Sequence, residues 1–305
     1  MKRKLKTFSV SVLVLTIILN VLSLTGYAAE GGQGEASIEE RIVRSEKSLG
    51  GVYNKDISKY ERFYISYQGK QISQRGFVKD GTYYLPLRAL AEHFGLSYAY
   101  DASAKMGAVS GKGLVMTVGA NCYVSYANGR ALFSEMPAVI MGDGRLYAPA
   151  SVILKAFSLK SQVRYGTLEL SGSFRAPTSA ASFYRQDEVL WLSRIIHAES
   201  RGEPLLGQIA VGTIVMNRVA HRDYPATIYS VIFDRKYGVQ FSPILDGSIY
   251  NTPSYNSTLA AKISLEGYRV DSGVLFFLEP RLSTSSWIPK NREYAFTIGN
   301  HDFYR

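Results

Sequence analysis

The chain has 305 residues, a hydrophobic share of 46% and a formal net charge of +10. That length allows about two domains of ~150 residues, and the apolar content excludes a disordered chain. A single cysteine excludes an intramolecular disulfide, and no basic cluster with interleaved aromatics stands out, which argues against nucleic acid as a partner.

Lys2, Arg3, Lys4 and Lys6 precede an apolar run from Val10 to about Leu24, followed by small residues at Gly26 and Ala28. This is the form of a secretory signal over residues 1–28, cleaved near Ala28. The run is short and interrupted by Thr16 and Asn20, so no stable membrane insertion is expected after cleavage. Without the four basic residues of that segment, 31 Lys+Arg face 25 Asp+Glu, a surplus of +6. Such a surplus suits electrostatic retention on anionic wall polymers. Residues 29–59 turn polar and read as a linker, with one short amphipathic helix around Ile38, Ile42 and Val43.

Residues 60–175 carry an internal repeat. GTYYLPLRALAEHFG from Gly81 aligns with GRLYAPASVILKAFS from Gly144, so that Tyr84 matches Tyr147, Pro86 matches Pro149 and Phe94 matches Phe157. Each copy reads as a strand reaching a proline that opens a short amphipathic helix, with hairpins before it. Cys122 alternates with Val124 and Tyr126, the pattern of a buried thiol on one strand face; no nearby histidine or helix start activates it. Residues 176–183, small and polar with Pro177, mark the boundary to a last domain over 184–305.

That domain is organised around Trp191–Val219, which reads as two helices joined by a tight turn. Leu192, Ile195 and Ile196 recur at helical spacing, and Glu199 continues the same stripe. Gly202 is expected to supply a left-handed residue at the end of the first helix, and Pro204 to start the second, which is apolar nearly all round. A carboxyl held against apolar side chains loses hydration, which raises its pKa toward what a general acid needs at neutral pH. The alternative is a glutamate that caps the turn or pairs with Arg194 or Arg201. A helix over Thr227–Phe233, a loop containing Gln240, Phe241 and Ser242, and a helix near Ser257–Tyr268 follow. The chain closes with two β-rich stretches that read as a small sheet.

Gln240 and Ser242 can donate and accept hydrogen bonds to a polar ligand, and Phe241 and Trp287 offer rings for stacking. The competing roles are loop self-bonding for the first pair and core filling for the second. No HExxH and no G-x-S-x-G occurs, and His197 and Glu199, two apart on a helix, do not face each other. Neither a metal nor a cofactor is expected.

Ala198-Glu199, Arg201-Gly202-Glu203, Gly207-Gln208, Asn217-Arg218-Val219, Gln240-Phe241-Ser242-Pro243, Trp287, Ile298-Gly299 and His301 occur in order over more than a hundred residues. Through them the C-terminal part resembles the spore cortex-lytic (SleB-like) cell-wall hydrolase family. The middle part resembles the copper amine oxidase N-terminal-like domain, a stalk-like module of exported Gram-positive proteins. The second copy departs from that pattern at Pro149-Ala150-Ser151, and the last domain departs at Glu279-Pro280.

The resemblance implies an α+β, two-domain secreted protein, a β-rich repeat module followed by a mainly helical lysozyme-like domain with a small β-sheet. It implies cleavage of peptidoglycan glycan strands between N-acetylmuramic acid and N-acetylglucosamine, by lytic transglycosylation, in the cell wall or spore envelope. Glu199 corresponds to the family's catalytic glutamate, and Gln240, Phe241, Ser242 and Trp287 are carried as substrate contacts. A peptidoglycan amidase or peptidase, or a non-catalytic wall-binding protein, are the competing readings.

Overall fold

The computed structural model describes residues 56–236, 238–283 and 286–305. The expected signal segment 1–28, and residues 29–55 of the expected linker with their amphipathic helix, lie outside the described residues. The end of that linker forms a 3-10 turn over Ile57–Lys59, capped by the Asp56 carboxylate, which accepts from the Ser58 N–H at 3.0 Å. The chain is a mixed α+β structure that divides after Phe183 into two compact units.

The first unit runs β1 (Glu61–Tyr67), β2 (Lys70–Gln71), β3 (Gly76–Lys79), β4 (Thr82–Pro86), α1 (Leu87–His93), β5 (Ser97–Asp101), β6 (Met106–Gly111) and β7 (Leu114–Gly119). It continues with β8 (Val124–Ala127), β9 (Arg130–Phe133), β10 (Val139–Ile140), β11 (Leu146–Pro149), α2 (Ala150–Phe157), β12 (Lys160–Arg164), β13 (Thr167–Ser171) and α3 (Ala180–Phe183). The repeat has a direct structural counterpart. Strands β4 and β11 pair antiparallel with Leu85 opposite Ala148, and these are equivalent residues of the two copies. The two copies are therefore related by a local two-fold axis through that pair. The turns before them carry Gly81 and Gly144, both at φ +74°, a conformation glycine adopts without steric cost.

Pro86 and Pro149 end their strands and stand as the extended N-caps of α1 and α2. Proline suits this place because it has no N–H to donate to a ladder. The helices bury Leu87 and Leu90 in one copy, and Val152, Ile153 and Phe157 in the other, in a common core. Strand β13 closes the unit by pairing parallel with β1, whereas its counterpart β6 reaches β8 only through the intervening β7. Cys122 is buried, but in the loop between β7 and β8 rather than on a strand: the ladder from β8 starts only at Val124. Residues 176–183 are fastened to this unit. The Asn128 side chain donates to the Pro177 carbonyl at 2.7 Å, and the Ala180 N–H donates to the Asn128 carbonyl at 2.8 Å.

The second unit runs α4 (Gln186–Ser200), α5 (Leu205–Ala220), α6 (Ile228–Ile232), α7 (Pro243–Asp246), α8 (Tyr255–Leu265), β14 (Phe276–Leu278), α9 (Trp287–Asn291), β15 (Tyr294–Ile298) and β16 (His301–Tyr304). Strand β16 lies between β14 and β15 in an antiparallel sheet. Helix α5 is central: Ile209, Val211, Ile214 and Val215 are fully buried, each contributing roughly 1.5–3 kcal/mol. Helices α4 and α8 pack against it, as does the sheet.

The turn between α4 and α5 differs from the expectation. Arg201 ends α4 in the right-handed region, and Gly202 does not adopt positive φ. Pro204 stops the helix instead, since the residue before a proline is pushed out of the α region; Pro204 then caps α5. Helix α6 starts one residue later than expected because the Thr227 hydroxyl is its cap, accepting from the Ser230 N–H at 3.1 Å.

Candidate active site

Glu199 lies in the last turn of α4, where Leu192, Ile195 and Ile196 are fully buried on the same stripe. Its own side chain is half-buried. Burial pushes its carboxyl up to about 7, and the nearby charge of Asp246 pushes in the same direction, while the Arg218 guanidinium opposes both. Arg194 is not its partner: that guanidinium lies over the Trp191 and Tyr250 rings at 5.1 and 5.9 Å.

Arg218, in the last turn of α5, is 4% exposed. Its Nε donates to the Leu275 carbonyl at 2.9 Å, and its guanidinium faces the rings of Tyr224, Phe241 and Phe276 at 5.2, 5.2 and 5.8 Å. One terminal nitrogen is buried with no hydrogen-bond partner. The neighbouring Asn217 amide donates to the Asp271 and Val274 carbonyls at 2.9 and 2.8 Å. Asn217 and Arg218 thus pin the segment entering β14 to the end of α5.

Asp246 ends α7, which packs against α4. Its carboxylate accepts from the Ser248 N–H at 2.8 Å, and its contacts with Ser248 hold it below the usual carboxylate range. The site therefore sets a carboxyl that keeps its proton near neutrality beside one that stays ionised. Two carboxyl groups with pKa values pushed apart are the usual arrangement of an acid and its partner.

The anticipated binding residues divide. Phe241 lies against Arg218 but is 2% exposed, so neither ring face is open to stack on a sugar; it is a wall of the Arg218 cage. Trp287, 52% exposed, packs edge-on against Phe276 at 6.3 Å and so stands one ring away from Arg218. Gln240 is half-buried and its amide donates to the Gly238 carbonyl at 3.2 Å, while exposed Ser242 leads into α7. Glu203 is engaged elsewhere, accepting from the Asn300 N–H and side-chain amide at 3.0 and 2.8 Å.

Sequence reasoning missed three features. The proximity of Asp246 and Arg218 to Glu199 carries no local signal. Trp191, Phe233 and the exposed Tyr229 and Tyr250 form an aromatic group along α4. Behind the site, Ser254 donates its N–H to His197 Nδ1 at 3.2 Å, and the Ser257 hydroxyl donates to Gln208 Oε1 at 2.8 Å. Among the described residues, no three His, Cys, Asp or Glu side chains are grouped to hold a metal.

Both units match known protein families. The Cell Wall Hydrolase family matches residues 202–304, beginning just after Glu199, and the copper amine oxidase N-terminal domain matches residues 66–169. The spore cortex-lytic enzyme of Bacillus cereus is 33% identical over 126 residues, 41% of this chain and 47% of that protein. The spore cortex-lytic enzyme of Halalkalibacterium halodurans is 30% identical over 126 residues, 41% of this chain and 37% of that protein. The chain thus spans less than half the length of these curated relatives. Among solved structures, the catalytic domain of the germination-specific lytic transglycosylase SleB from Bacillus anthracis is 34% identical and covers 40% of this chain and 97% of that one, with a TM-score of 0.37. The chain therefore carries a cell wall hydrolase domain over residues 202–304, preceded by a copper amine oxidase N-terminal-like domain over residues 66–169.

Proposed function

We propose that the unit from Tyr184 to Arg305 cleaves the glycan strand of peptidoglycan, in spore cortex or cell wall, between N-acetylmuramic acid and N-acetylglucosamine. The observation that carries this reading is Glu199, whose half-buried carboxyl retains its proton to about pH 7. Glu199 gives that proton to the glycosidic oxygen as the bond to the muramic C1 breaks. The resulting carboxylate takes the proton from the muramic acid 6-hydroxyl, whose oxygen closes onto C1. The bond broken is replaced by one within the sugar, Glu199 is protonated again, and no water is consumed: lytic transglycosylation. Arg218 favours the transient carboxylate, and the partly exposed rings of Trp287, Tyr229 and Tyr250 offer stacking surfaces for the strand.

Hydrolysis is the second reading, and Asp246 is the observation that favours it. An ionised carboxylate acting on Glu199 is what a general base for water or a nucleophile requires. Digestion in heavy-oxygen water separates the two. Unlabelled 1,6-anhydromuramic ends are expected; labelled reducing ends would assign hydrolysis, with Asp246 as the second carboxylate. Intact glycan after digestion would overturn both.

A further inference from the structure

The first unit holds a cleft of about 440 Å³, within the ~300–1,000 Å³ usual for small-ligand sites. Three of the elements that line it carry its charged groups and rings, and Ser73 and Gln74 from the loop between β2 and β3 complete the wall. Strand β5 contributes Tyr98 and Tyr100, two residues apart and so on one face. Helix α1 contributes Arg88 and Glu92, and the turn between β10 and β11 contributes Asp143 and Arg145. Both rings pack on one side against the core and are half-buried. Arg88 Nε meets Glu92 Oε1 at 2.7 Å, and an Arg145 terminal nitrogen meets Asp143 Oδ2 at 3.1 Å.

The repeat supplies an internal control. At the positions that align in the other copy, Arg88 is replaced by Ser151, Glu92 by Lys155, Tyr98 by Ser161, Tyr100 by Val163 and Arg145 by Thr82, while Asp143 keeps a carboxylate counterpart in Asp80. Yet α2 and β12 form there as α1 and β5 do here. The fold therefore does not require the two rings or the two ion pairs. They are concentrated at one of two equivalent places, where they surround a cleft.

We propose that this cleft binds a neutral amino-sugar glycan. Two guanidinium groups against two carboxylates leave the lining without net charge, which disfavours a polyanion. Each guanidinium has five N–H donors and each carboxylate two acceptor oxygens, so one internal contact leaves capacity for hydroxyl and acetamido groups. The tyrosines add apolar ring faces for the C–H side of a pyranose. The naming of that glycan as the peptidoglycan backbone rests on the reading of the catalytic unit above; the neutrality and aromatic lining of the cleft do not.

The test uses the full chain carrying Glu199→Gln, so that the wall is not degraded, with and without Arg88→Ala plus Tyr100→Ala. Sedimentation is measured with peptidoglycan stripped of its anionic polymers and with intact walls. The double substitution is expected to weaken retention on stripped peptidoglycan about tenfold or more. Arg88→Ala plus Tyr100→Phe, which keeps the ring, is expected to recover part of it, and melting temperatures show that each variant is folded. Unchanged retention on stripped peptidoglycan would overturn the proposal, as would a loss confined to intact walls, which would mean a polyanion ligand. Turnover on short soluble strands, with Glu199 restored, reads the catalytic reading separately. The double substitution is expected to leave it unchanged, and absence of turnover in every variant would sink the catalytic reading alone.

Discussion

The Glu203 carboxylate accepts two hydrogen bonds from Asn300, one from its backbone N–H at 3.0 Å and one from its side-chain amide at 2.8 Å. This clasp ties the turn after Glu199's helix to the turn between β15 and β16. It commits to structure the carboxylate that lies nearest to Glu199 in sequence.

The clasp leaves no room beside it. A Cβ at Gly299 would collide with Glu203 Oε2, and Gly299 sits at φ +60°. Gly299→Ala is expected to destabilise the chain by about 1–3 kcal/mol, from strain and from a disturbed bond to Asn300. Urea unfolding monitored by tryptophan fluorescence checks it; an unchanged midpoint would show that the turn yields freely.

Glu199→Gln is expected to fold normally and to lose turnover by roughly 10²–10⁴-fold. Glutamine keeps the shape but has no proton to give. Release of muropeptides from purified peptidoglycan measures the loss. Retention of more than about a tenth of the rate would point to another carboxylate, with Asp246 examined first.

The same substitution is expected to stabilise the protein in alkali. The Glu199 carboxyl is raised from 4.5 to about 7 in the folded state. A raised value means the native state holds the proton more tightly than the unfolded state. The contribution is complete below about pH 4.5 and is lost as pH rises through about 7. At about pH 8 the ionised carboxylate then costs about 3 kcal/mol. Glu199→Gln removes that cost, so its melting temperature should exceed the wild type's by several degrees at about pH 8 and match it at about pH 4. Equal melting temperatures at both would contradict the burial of this group.

Turnover of the wild type should fall as pH rises through about 7, where Glu199 loses its proton. Asp246→Asn removes a charge that raises Glu199, so the fall should shift to lower pH. Arg218→Met removes a charge that lowers it, so the fall should shift to higher pH. Rate profiles of the three proteins on one substrate decide this, and shifts in a common direction would refute the arrangement.

Arg218→Met should also destabilise, because it strands the Leu275 carbonyl and removes the cation from its three rings. About 1–3 kcal/mol is expected for the unsatisfied carbonyl. Differential scanning calorimetry at about pH 5, where Glu199 is protonated in both proteins, isolates this effect.

The sequence by itself determined what depends on spacing along the chain. Leu192, Ile195 and Ile196 placed Glu199 on an apolar stripe, since residues three and four apart share a helix face. Gly81-Tyr84-Pro86 and Gly144-Tyr147-Pro149 exposed the repeat, since each triplet builds the same turn, strand and helix start. Spacing does not settle the turn at Gly202, because Pro204 ends the helix without a left-handed residue.

Only the tertiary structure decided which charges act on Glu199. Arg218 and Asp246 belong to other helices, and a charge acts through space over a distance that packing alone sets. Tertiary packing also decided Phe241, whose ring is covered by Arg218 and its neighbours, because an aromatic residue in a loop suits a core or a binding surface equally until something packs over it.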